Sequence, residues 1–345
     1  MNDHREIKGT VLVTGGAGFI GSNFIPFFLK KHPSVSIVNL DKLTYAGNRE
    51  YLRELESSDR YTFIEADICD AEMLLDTFLR FNISSVIHFA AESHVDNSIT
   101  NPDTFIKTNI GGTFNLLEAA RNSWLDNSQK VKKGFEDSRF HHISTDEVYG
   151  SLGKEGYFSE SSAYAPNSPY SASKAASDFL VRSYHHTYGL DVVTSNCSNN
   201  YGPRQHDEKL IPTIIRKALK GSTIPIYGDG KNVRDWLFVL DHCRGISLVF
   251  KEGIAGETYV IGGNNEHDNL SIANKICAML DETHPKKVGS YRDQISFVKD
   301  RLGHDRRYAI DATKIRNELG WKPETDFDNG LRTTIAWYLD KYQVA

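Results

Sequence analysis

The short apolar run Thr10 to Thr14 passes directly into Gly15-Gly16-Ala17-Gly18-Phe19-Ile20-Gly21, and an apolar, helix-like segment continues to about Lys31. A strand, a glycine turn and a helix in that order constrain the fold more than any other stretch of the chain. Side chains at the glycines would block the tight turn, the approach of backbone N–H groups to a pyrophosphate, and the close packing of helix on strand. Gly15, Gly18 and Gly21 fit a GxxGxxG spacing, while Gly16, Gly18 and Gly21 fit GxGxxG.

A glycine motif alone is weak evidence, so its context has to agree. A second strand, Val35 to Leu40, ends in Asp41, 20 residues beyond Gly21. A carboxylate there can bond both ribose hydroxyls of an adenosine and repels a 2′-phosphate, which favours NAD over NADP. Lys42 next to it leaves NADP open. The alternation continues with a strand Tyr61 to Glu65 ending at Asp67-Ile68, a helix from about Ala71 to Phe81, and a strand Ser85 to Phe89. Asp67 and Ile68 are placed to hold an adenine edge or to make a simple turn. Ala90, Ala91 and Ser93 follow the fourth strand, small enough for backbone to pass close to a cofactor.

Strands separated by helices of this length predict an α/β fold with a doubly wound, Rossmann-type parallel sheet. At 345 residues the chain exceeds what one core usually holds, so a smaller C-terminal α/β substrate lobe is expected. Residues 1–195, with returning segments near 235–262, are assigned to the cofactor domain. Residues 196–345 are assigned mainly to the second lobe, closed by amphipathic helices at about Asp311 to Leu319 and Asn329 to Tyr342. Long helices are expected at Pro102 to Trp124, interrupted by Gly111-Gly112, and at Ser168 to Tyr188. Such a pair can meet its copies in a twofold dimer or be buried within one chain.

A formal charge of −5 with both signs mixed along the chain gives no basic footprint for nucleic acid. No apolar run approaches a membrane span, and Met1 to Thr10 lacks the apolar core of a signal peptide. The four cysteines are too far apart for a CxxC pair or a zinc knuckle, so reduced thiols, no metal and a cytoplasmic location are expected.

Candidate chemistry sits at Ser144-Thr145-Asp146-Glu147, after the apolar run Phe140 to Ile143. Two carboxylates beside a hydroxyl suggest acid and base work; capping a helix is the plainer reading. Tyr170 and Lys174, four residues apart, share a helix face, where the ammonium would lower the phenol's pKa enough for it to accept a proton. On the far side, Asn199, Lys209 and Leu210 fall in a loop and helix start suited to a diphosphate. Tyr227 offers an aromatic face in a glycine-bounded turn. Arg234 has the planar fork that suits phosphate, although a surface ion pair is the commoner use.

The glycine turn, Asp41, Ser144-Thr145 and the box Tyr170-Ser171-Ala172-Ser173-Lys174 resemble the extended short-chain dehydrogenase/reductase superfamily over essentially the whole chain. Three stretches are similar to the dTDP-glucose 4,6-dehydratases within it: Asp41-Lys42-Leu43-Thr44-Tyr45-Ala46-Gly47-Asn48, Thr145-Asp146-Glu147, and Ser198-Asn199-Asn200-Tyr201-Gly202-Pro203. The segment Arg301 to Tyr308 also resembles the family's, with Leu302 where the family has proline, a change expected to touch affinity slightly and chemistry not at all.

That resemblance implies tightly held NAD, with Phe19, Ile20 and Thr44 added to its contacts. It implies a nucleoside-diphosphate sugar bound by Ser93, Asn199, Lys209, Leu210, Tyr227, Arg234, Asn269, Arg301 and His304, and a homodimer. It implies that Tyr170 assists oxidation at C4, Thr145 bonds the C4 oxygen, Glu147 removes the C5 proton and Asp146 donates to the C6 oxygen. Two alternatives share parts of the pattern. A sugar-nucleotide 4-epimerase or decarboxylase would keep the cofactor turn and Tyr170-Lys174 but has no evident use for both acids. A non-catalytic NAD-binding module would be expected to lose Tyr170 or Lys174.

Overall fold

Apolar strands joined by helical crossovers have no face to give to water, and the chain buries both sides of one parallel sheet. The computed structural model describes residues 7–300 and 305–343. The strands in chain order are β1 (Gly9–Thr14), β2 (Val35–Asp41), β3 (Tyr61–Glu65), β4 (Ile83–His88), β5 (Arg139–Thr145), β6 (Val192–Cys197), β7 (Asn199–Tyr201), β8 (Ile224–Tyr227), β9 (Val233–Phe238), β10 (Thr258–Ile261), β11 (Glu266–Asp268) and β12 (Ile295–Val298). The main sheet has the order β10-β6-β5-β4-β1-β2-β3, with every pairing parallel. The α/β, doubly wound expectation is met.

The connections change direction between β1 and β4, which opens a crevice at the carboxyl ends of those strands. One face of the sheet is covered by the helices Phe19–Lys31 and Val239–Glu252, whose Phe24, Phe28, Ile246 and Phe250 are buried together. The other face is covered by Ala71–Phe81 and Thr113–Trp124, which bury Leu74, Phe78, Leu116 and Trp124. A wholly buried aromatic of this kind contributes about 2–3 kcal/mol by area alone. Trp124 also donates its indole N–H to the Ile83 carbonyl at 2.8 Å, so its polar end is satisfied.

A second core joins the helices Leu210–Leu219, Asn269–Thr283 and Phe327–Lys341 through Ile211, Ile215, Ile276, Leu280 and Leu331. The helix Thr313–Leu319 departs from expectation. It does not close that core but places Ile315 beside Ile261 and Trp321 in the core of the large sheet, because β10 sits at the sheet edge and needs cover.

The expected helix Pro102 to Trp124 is also not continuous. Residues Ile106–Gly112 form a π-helical stretch between Pro102–Phe105 and Thr113–Trp124. The wider turn lets the Asn109 side chain accept from the Glu92 N–H at 2.8 Å and donate to Ser173 at 2.8 Å. Segments of this type concentrate at functional sites. The helix Pro169–Tyr188 is sharply bounded: Ser168 and Ser171 cap its start reciprocally, and Gly189 ends it at φ +71°.

Candidate active site

The carboxyl ends of β1, β2, β4, β5 and β6 open into one cleft with an empty volume of about 1630 Å³, its mouth included. All the residues expected on the cofactor side line it, from Gly15 to Ser93, as do Thr145, Asp146, Glu147, Tyr170, Lys174, Asn199 and Lys209.

At the glycine end the fold leaves space only for backbone. Gly15 has φ +72°, and a Cβ there would stand 2.6 Å from the Ala90 nitrogen; one at Gly21 would stand 2.6 Å from the Gly15 carbonyl oxygen. These positions form a cradle that side chains would fill, and they fit a dinucleotide. Asp41 accepts the Ala17 N–H at one carboxyl oxygen and the Leu43 N–H at the other, both at 2.9 Å. Burial raises its pKa while those two bonds oppose the rise, and each oxygen keeps a lone pair for a ribose hydroxyl. The Asp41–Leu43 bond also holds Leu43 at φ +53°, an uncommon value for leucine. Lys42 pairs with Asp67 at 2.6 Å, so its charge is already engaged rather than waiting for a 2′-phosphate.

At the chemistry end, β5 finishes at Thr145, and it is Thr145, not an acid, that caps the following 3-10 turn Asp146–Tyr149 by accepting the Glu147 N–H at 3.3 Å. The capping reading of Asp146 and Glu147 therefore gives way. Asp146 is 2% exposed, and its Oδ2 has no hydrogen-bond partner among the described residues. Burial first, then the charges of Glu147 and Asp235, push its carboxyl well above the ordinary range, which favours the neutral acid. Glu147 is less buried and lines the same cleft. Two adjacent carboxyls in unlike environments can hold opposite protonation states, as an acid and a base require.

Tyr170 and Lys174 share a helix face, but not the contact expected of them. Lys174 donates to the Ile143 carbonyl at 2.8 Å and lies 3.4 Å from His142 Nε2. In the protein alone the Tyr170 phenol is pushed well up by burial and by Glu147, while the Thr145 hydroxyl bonds it and works the other way. Spacing on a helix fixes the shared face, not where a flexible ammonium settles.

Leu210, Tyr227, Arg234 and Asn269 do not line this cleft. Arg234 is buried, stacks 4.3 Å over Tyr308, and donates to the Asp305 carbonyl. Its charge reaches Asp146 and opposes that carboxyl's rise. Tyr227 is half-exposed at the end of β8, and Asn269 opens the helix Asn269–Thr283. Arg301 and His304 lie outside the described residues. Sequence reasoning missed Glu92, Thr108, Cys197, Gln205, His206 and Glu208, all in the cleft wall. Glu208 stands 3.6 Å from both His94 and His206; its position beside Lys209 was the available signal.

The family description GDP-mannose 4,6 dehydratase matches residues 12–334. A dTDP-glucose 4,6-dehydratase from Escherichia coli is 56% identical over 338 residues, spanning 95% of this chain and 92% of its own. One from Neisseria gonorrhoeae is 54% identical, spanning 97% of each. The chain belongs to the dTDP-glucose 4,6-dehydratase family. A solved dTDP-glucose 4,6-dehydratase from Streptomyces venezuelae, with NAD bound, superposes at a TM-score of 0.87 with 45% identity, covering 97% of this chain and 98% of that one. UDP-glucose 4-epimerase from Thermotoga maritima shares the fold at a TM-score of 0.83, covering 96% and 99%, but only 28% identity. The epimerases are thus distant kin of this dTDP-glucose 4,6-dehydratase family member.

Proposed function

We propose that the protein converts dTDP-glucose to its 4-keto-6-deoxy derivative by oxidation at C4, loss of water across C5 and C6, and reduction at C6. The observation that carries this reading is the buried Asp146 carboxyl, its Oδ2 without a hydrogen-bond partner among the described residues, beside Glu147 in the cleft that also holds Tyr170. Gly15, Gly18, Gly21, Asp41 and the loop at Ala90-Ala91 would hold NAD, which when bound would supply a hydride acceptor for C4, a positive charge in its oxidised form, and a hydride for C6.

The protein's own groups handle the protons. Tyr170 accepts the proton of the C4 hydroxyl. Its raised pKa means that it does so only with positive charge nearby, and Lys174 provides the protein's share. The Thr145 hydroxyl, within bonding reach of the phenol, meets the same oxygen. A C4 ketone acidifies the C5 hydrogen, which Glu147 removes as Asp146 gives its proton to the departing C6 oxygen; Glu147, after exchange with solvent, returns a proton to C5 when C6 is reduced. Successive residues on a 3-10 turn diverge by about 120°, so the two carboxyls can serve different atoms.

The same proposal assigns Asn199 and Lys209 to the substrate end of the cleft, where Lys209 already donates to the Ser93 carbonyl at 3.0 Å. Leu210, Tyr227, Arg234, Asn269, Arg301 and His304 would take the remoter nucleotide portion. The division near residue 195, with a segment near 235–262 returning to the first domain, is supported by β10 in the large sheet, whereas β9 pairs with β7 and β11 in a separate three-stranded sheet and the helix Thr313–Leu319 packs on the first core. We also infer a twofold dimer through the two long helices, supported by the exposed Ile106, Phe114 and Phe179. The cytoplasmic location belongs to this proposal as well, supported by four unpaired cysteines.

Incubation with dTDP-, UDP- and GDP-hexoses tests the reading. An alkali-absorbing keto product from dTDP-glucose is expected. A 4-epimer without that product would replace this function with epimerisation.

A further inference from the structure

Behind the cleft, Lys174 meets charged and polar groups that lie outside the residues assigned so far. On β5, His142 and Ser144 are two apart and face the same way; on Pro169–Tyr188, Lys174 and Asp178 are four apart and do the same. The strand and the helix pack together, so the two pairs meet. Asp178 Oδ2 accepts the Ser144 hydroxyl at 2.9 Å, the Tyr164 hydroxyl at 2.8 Å and the Asn196 amide at 3.2 Å. Asp178 Oδ1 stands 3.2 Å from His142 Nε2, which is itself 3.4 Å from the Lys174 ammonium. The histidine is fully buried and the aspartate 5% exposed.

An ammonium has only hydrogens to give and a carboxylate only lone pairs, so the one hydrogen position at His142 Nε2 serves either Lys174 or Asp178, while Nδ1 has no hydrogen-bond partner among the described residues. Asp178 Oδ1 has no hydrogen-bond partner beyond that shared nitrogen among the described residues. Three donors on Oδ2 favour an ionised Asp178. A buried carboxylate and a buried ammonium are each costly alone, and each is the other's compensation across the imidazole.

We propose that Asp178 is a positioning residue for the reaction, keeping the Lys174 ammonium charged and directed at the Ile143 carbonyl through His142; this rests on the reading of Lys174 as part of the site. Around Lys174 stand His142 on β5, Cys197 on β6, His88 on β4 behind His142, and Tyr170 and Asp178 on its own helix. Asp146 and Glu147 share the cleft, and the π-helical stretch contributes only the uncharged Asn109 beside Ser173. Burial brings Lys174 down to about 8, with Asp178 the largest opposing influence. Burial brings Asp178 up to about 6, with Lys174 the largest influence against it. Burial, then Lys174, drives the His142 pKa well down, which favours the neutral ring.

The test is Asp178→Asn, which keeps shape and loses charge. With ¹⁵N-lysine-labelled protein, the Lys174 Nζ titration is followed by NMR, its signal identified by absence in Lys174→Met. The midpoint should fall by about one pH unit or more, and the basic limb of the kcat–pH profile should fall with it, whereas Asp178→Glu should restore both toward wild type. A purely structural role would lower kcat evenly and leave the limb in place. Should Asp178→Asn not fold, His142→Phe fills the same space, removes the nitrogen that both charges face, and should shift the midpoint the same way. An unmoved midpoint overturns the proposal. A shifted midpoint with an unmoved limb leaves the coupling standing and refutes the role of Lys174 on which the proposal rests.

Discussion

Replacing Gly15 by alanine separates two costs that the glycine turn conceals. The first is conformational: Gly15 has φ +72°, a region that costs an L-residue about 1–2 kcal/mol. The second is steric: the new methyl would lie 2.6 Å from the Ala90 nitrogen, 2.7 Å from its Cα and 2.9 Å from the Phe89 carbonyl carbon, all backbone at the end of β4. Overpacking against atoms that cannot rotate away adds about 1–3 kcal/mol, for roughly 2–5 kcal/mol in total. Gly134→Ala is the control, because it also has positive φ, +93°, but would meet nothing within 4 Å. It should cost only the first component, and the loss of unfolded-chain entropy is common to both variants. Urea unfolding measures the difference, and calorimetry should show NAD affinity reduced at least about tenfold in Gly15→Ala alone, equivalent to 1.4 kcal/mol. Equal destabilisation by the two substitutions would refute the argument that β1 and β4 meet too closely for a side chain.

Asp146→Asn and Glu147→Gln should bind NAD as wild type does yet lower kcat by about 10²-fold or more. Tyr170→Phe should also abolish the near-ultraviolet absorbance of reduced cofactor on adding substrate; full activity in all three would remove the site. His32 and His242 are held neutral by burial, at about 4 and about 3. The unfolded chain therefore binds protons that the native state refuses between pH 6.5 and 4, so stability falls as pH falls through that window. Raised carboxyls such as Asp178 act in the opposite sense, so the clean reading is the slope: His242→Gln should flatten it by an amount on the order of 3 kcal/mol across the window. Trp124→Phe, which removes the bond to the Ile83 carbonyl, should cost about 1–3 kcal/mol in urea unfolding without altering NAD affinity.

The parallel sheet was legible because its signals are local. β3 and the helix Ala71–Phe81 fall at the boundaries that apolar periodicity predicts, and Gly15 to Asp41 announces the crevice by spacing alone. The π-helical turn at Ile106–Gly112 was not legible, because the hydrogen bonds that place Asn109 come from Glu92 and Ser173, distant in sequence. The helix Thr313–Leu319 looked amphipathic, and amphipathicity names a buried face without naming what buries it. In the site, Asp146 and Glu147 could be read as a pair from adjacency, but their difference in burial, which separates acid from base, exists only once the chain is folded. The contacts of Lys174 with Ile143 and His142 likewise depend on the packing of β5 against the helix, which i, i+4 spacing does not encode.

The central claim is that a proton leaves C5 to Glu147 while water is lost through Asp146. The direct measurement is mass spectrometry of the product formed from dTDP-glucose in heavy water. One solvent deuterium at C5 is predicted, with product formation abolished in Glu147→Gln. Product that carries no deuterium at C5 would contradict the account.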